Sequence, residues 1–161
     1  MSADREKARG LAARAYHAAV REDWPAASAA MAEAGRQSPN VIALVLCAFC
    51  DTAISVQRDM LGLPPLEDGV PQEGPVRPAW VSADTGRVTL DAVGLPPAAA
   101  WAGQLVAARA ALDFDGFAAL LAAMPADGLE RGEYANALLA GCASLANLAA
   151  RAEKAPPGGA G

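Results

Sequence analysis

Apolar positions recur at three- and four-residue spacing along most of this chain, which is the period of an α-helix. The spacing predicts a first helix over about Asp4 to Arg21, with Leu11, Ala15, Ala18 and Ala19 on one face. Glu22-Asp23 ends it, and Asp23 is placed to cap a second helix with Trp24-Pro25 in its first turn, where proline loses no needed hydrogen bond. That helix is expected to reach about Ala34, with Gly35 just past its end. Ser38-Pro39 repeats the start signal for a third helix to about Leu61. Its stripe of Ile42, Val45, Leu46, Phe49, Ala53, Val56 and Met60 is continuous, and Gly62 stops it.

The period then disappears. Residues 63–78 are rich in proline and acids and read as a surface loop. Trp80-Val81 and Val88-Thr89-Leu90 suit short strands, with Ala83 to Gly86 as the turn of a β-hairpin. Helical spacing resumes after Pro96-Pro97. One helix is predicted over Ala98 to Leu112 with Trp101, Leu105, Ala108 and Leu112 on a face, and a short one over Phe117 to Met124. A long one over Leu129 to Lys154 carries the stripe Tyr134, Leu138, Gly141, Leu145, Leu148 and Ala152. Residues 155–161, small residues and prolines, read as a disordered tail.

The fold class is therefore mainly α: about six helices in two helical-hairpin blocks, with one β-hairpin insertion between them. The boundaries are 4–62 for the first block, 63–95 for the loop and hairpin, and 96–154 for the second block, all within one domain. Each block reads long helix, short helix, long helix. At an offset of 93 residues Trp24 meets Phe117, Met31 meets Met124, Gly35 meets Gly128 and Leu46 meets Leu139, which suggests an internal duplication.

Composition changes how the core is pictured. The chain of 161 residues is 53% hydrophobic, but 42 of those residues are alanine. Without alanine the apolar share is roughly 27%, which predicts a thin core. The net charge of −5 and the scatter of the 13 basic residues argue against nucleic-acid binding. The longest apolar run, Val41 to Cys50, has ten residues, whereas a membrane span needs about 20. No membrane association is expected, and a soluble, cytoplasmic protein is. Three sparse cysteines fit a reducing compartment.

The first block resembles a tetratricopeptide-type helical hairpin. Ala15, Trp24, Ala27, Met31, Ala34 and Pro39 fall in that family's register, while Arg14 and Ala18 depart from it. In the second block only Ala108, Phe117 and Met124 match, and Leu120, Asp127 and Gly132 break the pattern. The resemblance implies a hairpin wedged by Trp24 and a groove for a peptide or partner helix. The arginine-, alanine- and proline-rich style is similar to that of actinobacterial proteins.

Chemistry-bearing motifs are few. Cys47-Ala48-Phe49-Cys50 has the spacing of a redox pair or half a zinc site. It resembles the pair of alkylhydroperoxidase D-type proteins, whose pattern needs a histidine where this chain has Ile54. Cys142 and His17 are the remaining candidate zinc ligands. The alternative is two small apolar thiols in a buried helix. Asp84-Thr85-Gly86 is a single Asp-Thr-Gly and suits a turn. There is no nucleophile elbow and no phosphate-binding glycine loop. No cofactor is implied.

The expectation is a non-enzymatic protein–protein interaction module, or a subunit of a larger assembly, that binds an unidentified protein or itself. Trp80, Trp101 and Arg87 are its candidate interaction residues; the two tryptophans are expected to pack on each other and anchor the hairpin to the second block, or else one of them is an exposed anchor for a partner. The alternatives are a small thiol redox or metal-binding protein using Cys47 and Cys50, and a small-molecule-binding regulator.

Overall fold

The computed structural model describes residues 2–67, 78, 80–81 and 87–154. Six helices account for most of them: α1 (Ser2–Val20), α2 (Trp24–Gly35), α3 (Pro39–Met60), α4 (Pro97–Ala110), α5 (Phe114–Ala122) and α6 (Gly128–Lys154). The expected tail, the Ala83–Gly86 turn and Asp84-Thr85-Gly86 lie outside the described residues.

Helix ends follow from capping chemistry. Asp23, Ser38 and Asp113 each accept a hydrogen bond on the side chain from a first-turn N–H, at Ala26, Val41 and Gly116. Asp127 does the same for Leu129 and Glu130. These bonds satisfy N–H groups that have no partner inside the helix. At the other end, α1, α3 and α4 close with a left-handed residue, at Glu22 (φ 61°), Gly62 (φ 66°) and Leu112 (φ 53°). In each, the next N–H reaches back five residues: Asp23 to Ala18, Leu63 to Arg58 and Asp113 to Ala108. Gly35 does not play this part. It is the last residue of α2, and Arg36 follows in right-handed geometry.

The β-hairpin insertion is not supported: among the described residues the architecture is mainly helical. Between the blocks, Trp80–Val81 and Val88–Thr89 lie antiparallel with only two residues on each side. A sheet element needs longer strands with one face on a core. Thr89 and Leu90 instead face solvent. What ties this segment down is a side chain: the Trp80 indole N–H donates to the Ala99 carbonyl at 2.7 Å.

The packing exchanges between blocks in a regular way. Within each block the first helix packs on the second and the third. Between blocks, α1 packs on α6, α4 packs on α3, and α3 and α6 pack on each other. The largest fully buried side chains, Phe49, Leu46, Leu105, Leu138 and Leu139, sit on α3, α4 and α6. Alanine fills the rest of the interior: Ala15 and Ala27 have no exposed surface, and Ala8, Ala12, Ala30 and Ala34 are buried beside them. Such residues let α1 and α2 approach closely without a large side chain between them. Trp24, expected as the wedge of this hairpin, is 43% exposed instead. With alanine on both faces there is no gap for an indole to fill.

Among the described residues α3 is the one helix long and apolar enough to cross a membrane, with a mean hydropathy of 1.8. In this fold it is the central helix, packed by α1, α4 and α6.

Candidate functional site

The two blocks leave a groove of about 1050 Å³ between them. It is built from the end of α2, the start of α3, the end of α5 and the start of α6. Its floor is apolar: Ile42, Val45 and Leu46 from α3, Leu121 from α5, and Met31 and Met124, one from each block. Val45 and Leu46 also belong to the buried core, so the floor is rigid. The two methionines are unbranched and adapt to an incoming shape. Ala32, Gly35, Ala43, Ala126, Gly128 and Gly132 widen the walls. Polar groups stand at the groove as Arg36, Arg131, Glu133 and Asn136. Leu129, at the groove, is 83% exposed.

The sequence candidates lie elsewhere. Trp101 is buried, its N–H donates to the Leu120 carbonyl at 2.8 Å, and its ring lies 5.4 Å from that of Tyr134. It joins α4, α5 and α6 and presents no face to a partner. Trp80 docks by Ala99 and Gly103, where a Cβ added to Gly103 would land on the indole. Residues 99 and 103 share a helix face that residue 101 does not, so the two tryptophans anchor to different sides of α4 and do not stack. Arg87 is exposed beside Val88.

Cys47 is half-buried, Cys50 and Cys142 are buried, and all three are free thiols. Cys142 donates its S–H to the Phe49 carbonyl at 3.1 Å, across the joint between α3 and α6. Burial pushes the Cys47 thiol up, opposed by the nearby Arg109 guanidinium. Burial raises Cys50 well above the ordinary thiol range, and the neighbouring Cys142 adds to it. Cys142 is pushed up to about 12, again by burial. Burial thus makes the thiolate, the form that redox and zinc chemistry use, harder to reach at Cys50 and Cys142. Among the described residues no three His, Cys, Asp or Glu side chains gather as a metal-binding group. His17 is exposed on α1, its ring 5.8 Å from that of Tyr16.

Arg109 forms a forked ion pair with Asp51 at 2.8 and 3.1 Å, tying α4 to α3. A second cavity of about 320 Å³ lies where α1 and α6 end, lined by Arg21, Arg151 and Lys154 among others. Those cations are accounted for by the negative ends of two helix dipoles.

No family model, curated protein or solved structure matches the chain.

Sequence reasoning expected a groove for a partner helix but did not place it between the two blocks. Met31 and Met124 were visible as a matched pair, and that was its one signal in the sequence. That they converge depends on how the two blocks pack, which no local pattern encodes.

Proposed function

We propose that this chain is a non-enzymatic interaction module whose inter-block groove takes the apolar face of a helical segment from a protein partner. The groove itself carries the reading: an apolar floor, small-residue walls that admit a helix backbone, and an exposed leucine at its edge. The tetratricopeptide-like register of the first block supports the same use of a helical groove. A small-molecule ligand fits less well. Pockets for small ligands enclose most of the ligand surface, whereas Leu129 and Arg36 here stand largely in water. Thiol chemistry is disfavoured by the burial of Cys50 and Cys142, which raises both thiols.

The test is site-specific photocrosslinking in the native host. A photoreactive residue at Leu129 is expected to capture a discrete partner, or a second copy of this chain, while one at Leu90, exposed but outside the groove, does not. Gly132→Trp, which adds an indole where a Cβ would meet no neighbouring element within 4 Å, is expected to abolish the adduct. Identical adducts from both positions, persisting in Gly132→Trp, would overturn the reading.

A further inference from the structure

We infer that the groove is a two-walled site on an approximate two-fold axis, and that it takes a single helix of a protein partner that is apolar on two opposite sides, one for each block. This rests on the groove reading above and adds how the helix is held.

The two blocks repeat one another. The corner that joins α1 to α2 recurs 90 residues on between α4 and α5: Glu22 and Leu112 are left-handed, and Asp23 and Asp113 each cap the helix that follows. At the same offset the buried Leu11, Ala15 and Ala18 of α1 meet the buried Trp101, Leu105 and Ala108 of α4. One residue fewer relates the third helices. Ser38 and Asp127 cap them, and Phe49, Cys50 and Ala53 fall on Leu138, Leu139 and Cys142, all buried.

Repeated blocks either stack head to tail, as in a solenoid, or face each other across a two-fold axis. A stack makes each contact between blocks once, whereas an axis makes it twice with the roles exchanged. Here α1 packs on α6, and its counterpart α4 packs on α3, the counterpart of α6. The third helices pack on each other. At their joint Cys142 donates to the Phe49 carbonyl, one turn from Ala53, its own counterpart. Near-equivalent residues that touch lie close to the axis that relates them.

The groove lies on the same axis. Most of the positions that α2 and α3 contribute to it are matched by those from the second block: Ala32 by Ala122, Ala43 by Gly132 and Leu46 by Ala135. A helix with its side chains is about 10–12 Å across and rises about 5.4 Å per turn, so the groove holds about two turns of one helix. That helix meets block one on one side, at Met31, Ile42 and Leu46, and block two on the other, at Leu121 and Met124. A helix lying on a single face needs an apolar stripe of about 100°. One held between two apolar walls needs apolar side chains on both sides.

The test places a photoreactive residue at Ala32 or at Ala122 of the full chain in the native host. These are matched positions, both exposed at the groove. Both are expected to capture the same helical segment of one partner, and peptide mapping is expected to place the two adducts on opposite sides of that helix. Ala43→Trp and Gly132→Trp fill one wall each, and either alone is expected to abolish both adducts. Far-UV circular dichroism checks that the helices are retained. If Ala43→Trp does not fold, the two adduct positions and Gly132→Trp decide.

Capture from only one of the two positions overturns the inference. So do adducts in two different segments, adducts on the same side of one helix, or a tryptophan variant that removes only the adduct of its own block. The photoreactive residue at Leu129 separates these failures from failure of the groove reading. If Leu129 still gives an adduct that is lost in Gly132→Trp, the groove stands and the two-walled occupant falls. If Leu129 gives none, or Gly132→Trp changes nothing, the groove reading falls and this inference with it.

Discussion

The corner between α1 and α2 and the corner between α4 and α5 have the same backbone and different side chains. In the first, Glu22 takes the left-handed position, Asp23 bonds back to Ala18 and caps Ala26, and Ala27 bonds back to Asp23. In the second, 90 residues on, Leu112, Asp113, Ala108, Gly116 and Phe117 repeat every one of these bonds. Yet α2 buries Ala27, Ala30 and Ala34, while α5 has no fully buried residue. The same turn thus delivers a tightly seated helix in one block and a lightly held one in the other. Corner geometry is set by one capping aspartate and one left-handed residue. Seating is set by whether the facing residues are small enough to close.

The largest expected effect that sharpens this contrast comes from Trp101→Ala. It removes both the hydrogen bond to Leu120 and the ring against Tyr134. Loss of a buried tryptophan costs about 3–5 kcal/mol, and hydrogen exchange is expected to show α5 released first. Equal loss of protection in α2 would break the contrast. Ala15→Leu tests the other block: it forces a larger side chain between α1 and α2 and is expected to cost about 1–3 kcal/mol. A chemical-denaturation midpoint unchanged by Ala15→Leu would mean that the alanine seam is not tight. The smallest effect probes what the corners share. Asp23→Ala and Asp113→Ala are each expected to cost about 1 kcal/mol, and thermal melts giving clearly unequal losses would show that the two caps are not equivalent.

The helices were legible because their ends carry chemistry that local sequence displays. Asp23, Ser38-Pro39, Gly62 and Pro96-Pro97 mark boundaries wherever they occur. The left-handed Glu22 and Leu112 were not legible, because neither residue type favours that geometry; the shape of the corner imposes it. The offset of 93 placed Trp24 opposite Phe117, whereas the matched corners place it opposite Phe114, also exposed. In an alanine-rich chain sequence identities are poor rulers, and hydrogen bonds are better ones. The β-hairpin was read from strand-favouring residues at 80–81 and 88–90, but β-propensity describes a fit to a half-buried pleated surface, and Thr89 and Leu90 lie exposed. The cysteines were legible as a motif, and the depth of burial that raises the Cys50 and Cys142 thiols is set only by tertiary packing.

The docking of Trp80 has a consequence for how the two blocks find each other. The chain between Gly62 and Pro97 is pegged near its midpoint to α4, the first helix of the second block. Once that peg is in, only about half of the connection still tethers one block to the other. Effective concentration scales roughly as the −3/2 power of tether length, so halving the tether raises the local concentration of one block around the other by about threefold. A single indole, admitted because residue 103 is glycine, thereby favours assembly of the two halves without belonging to the interface between them.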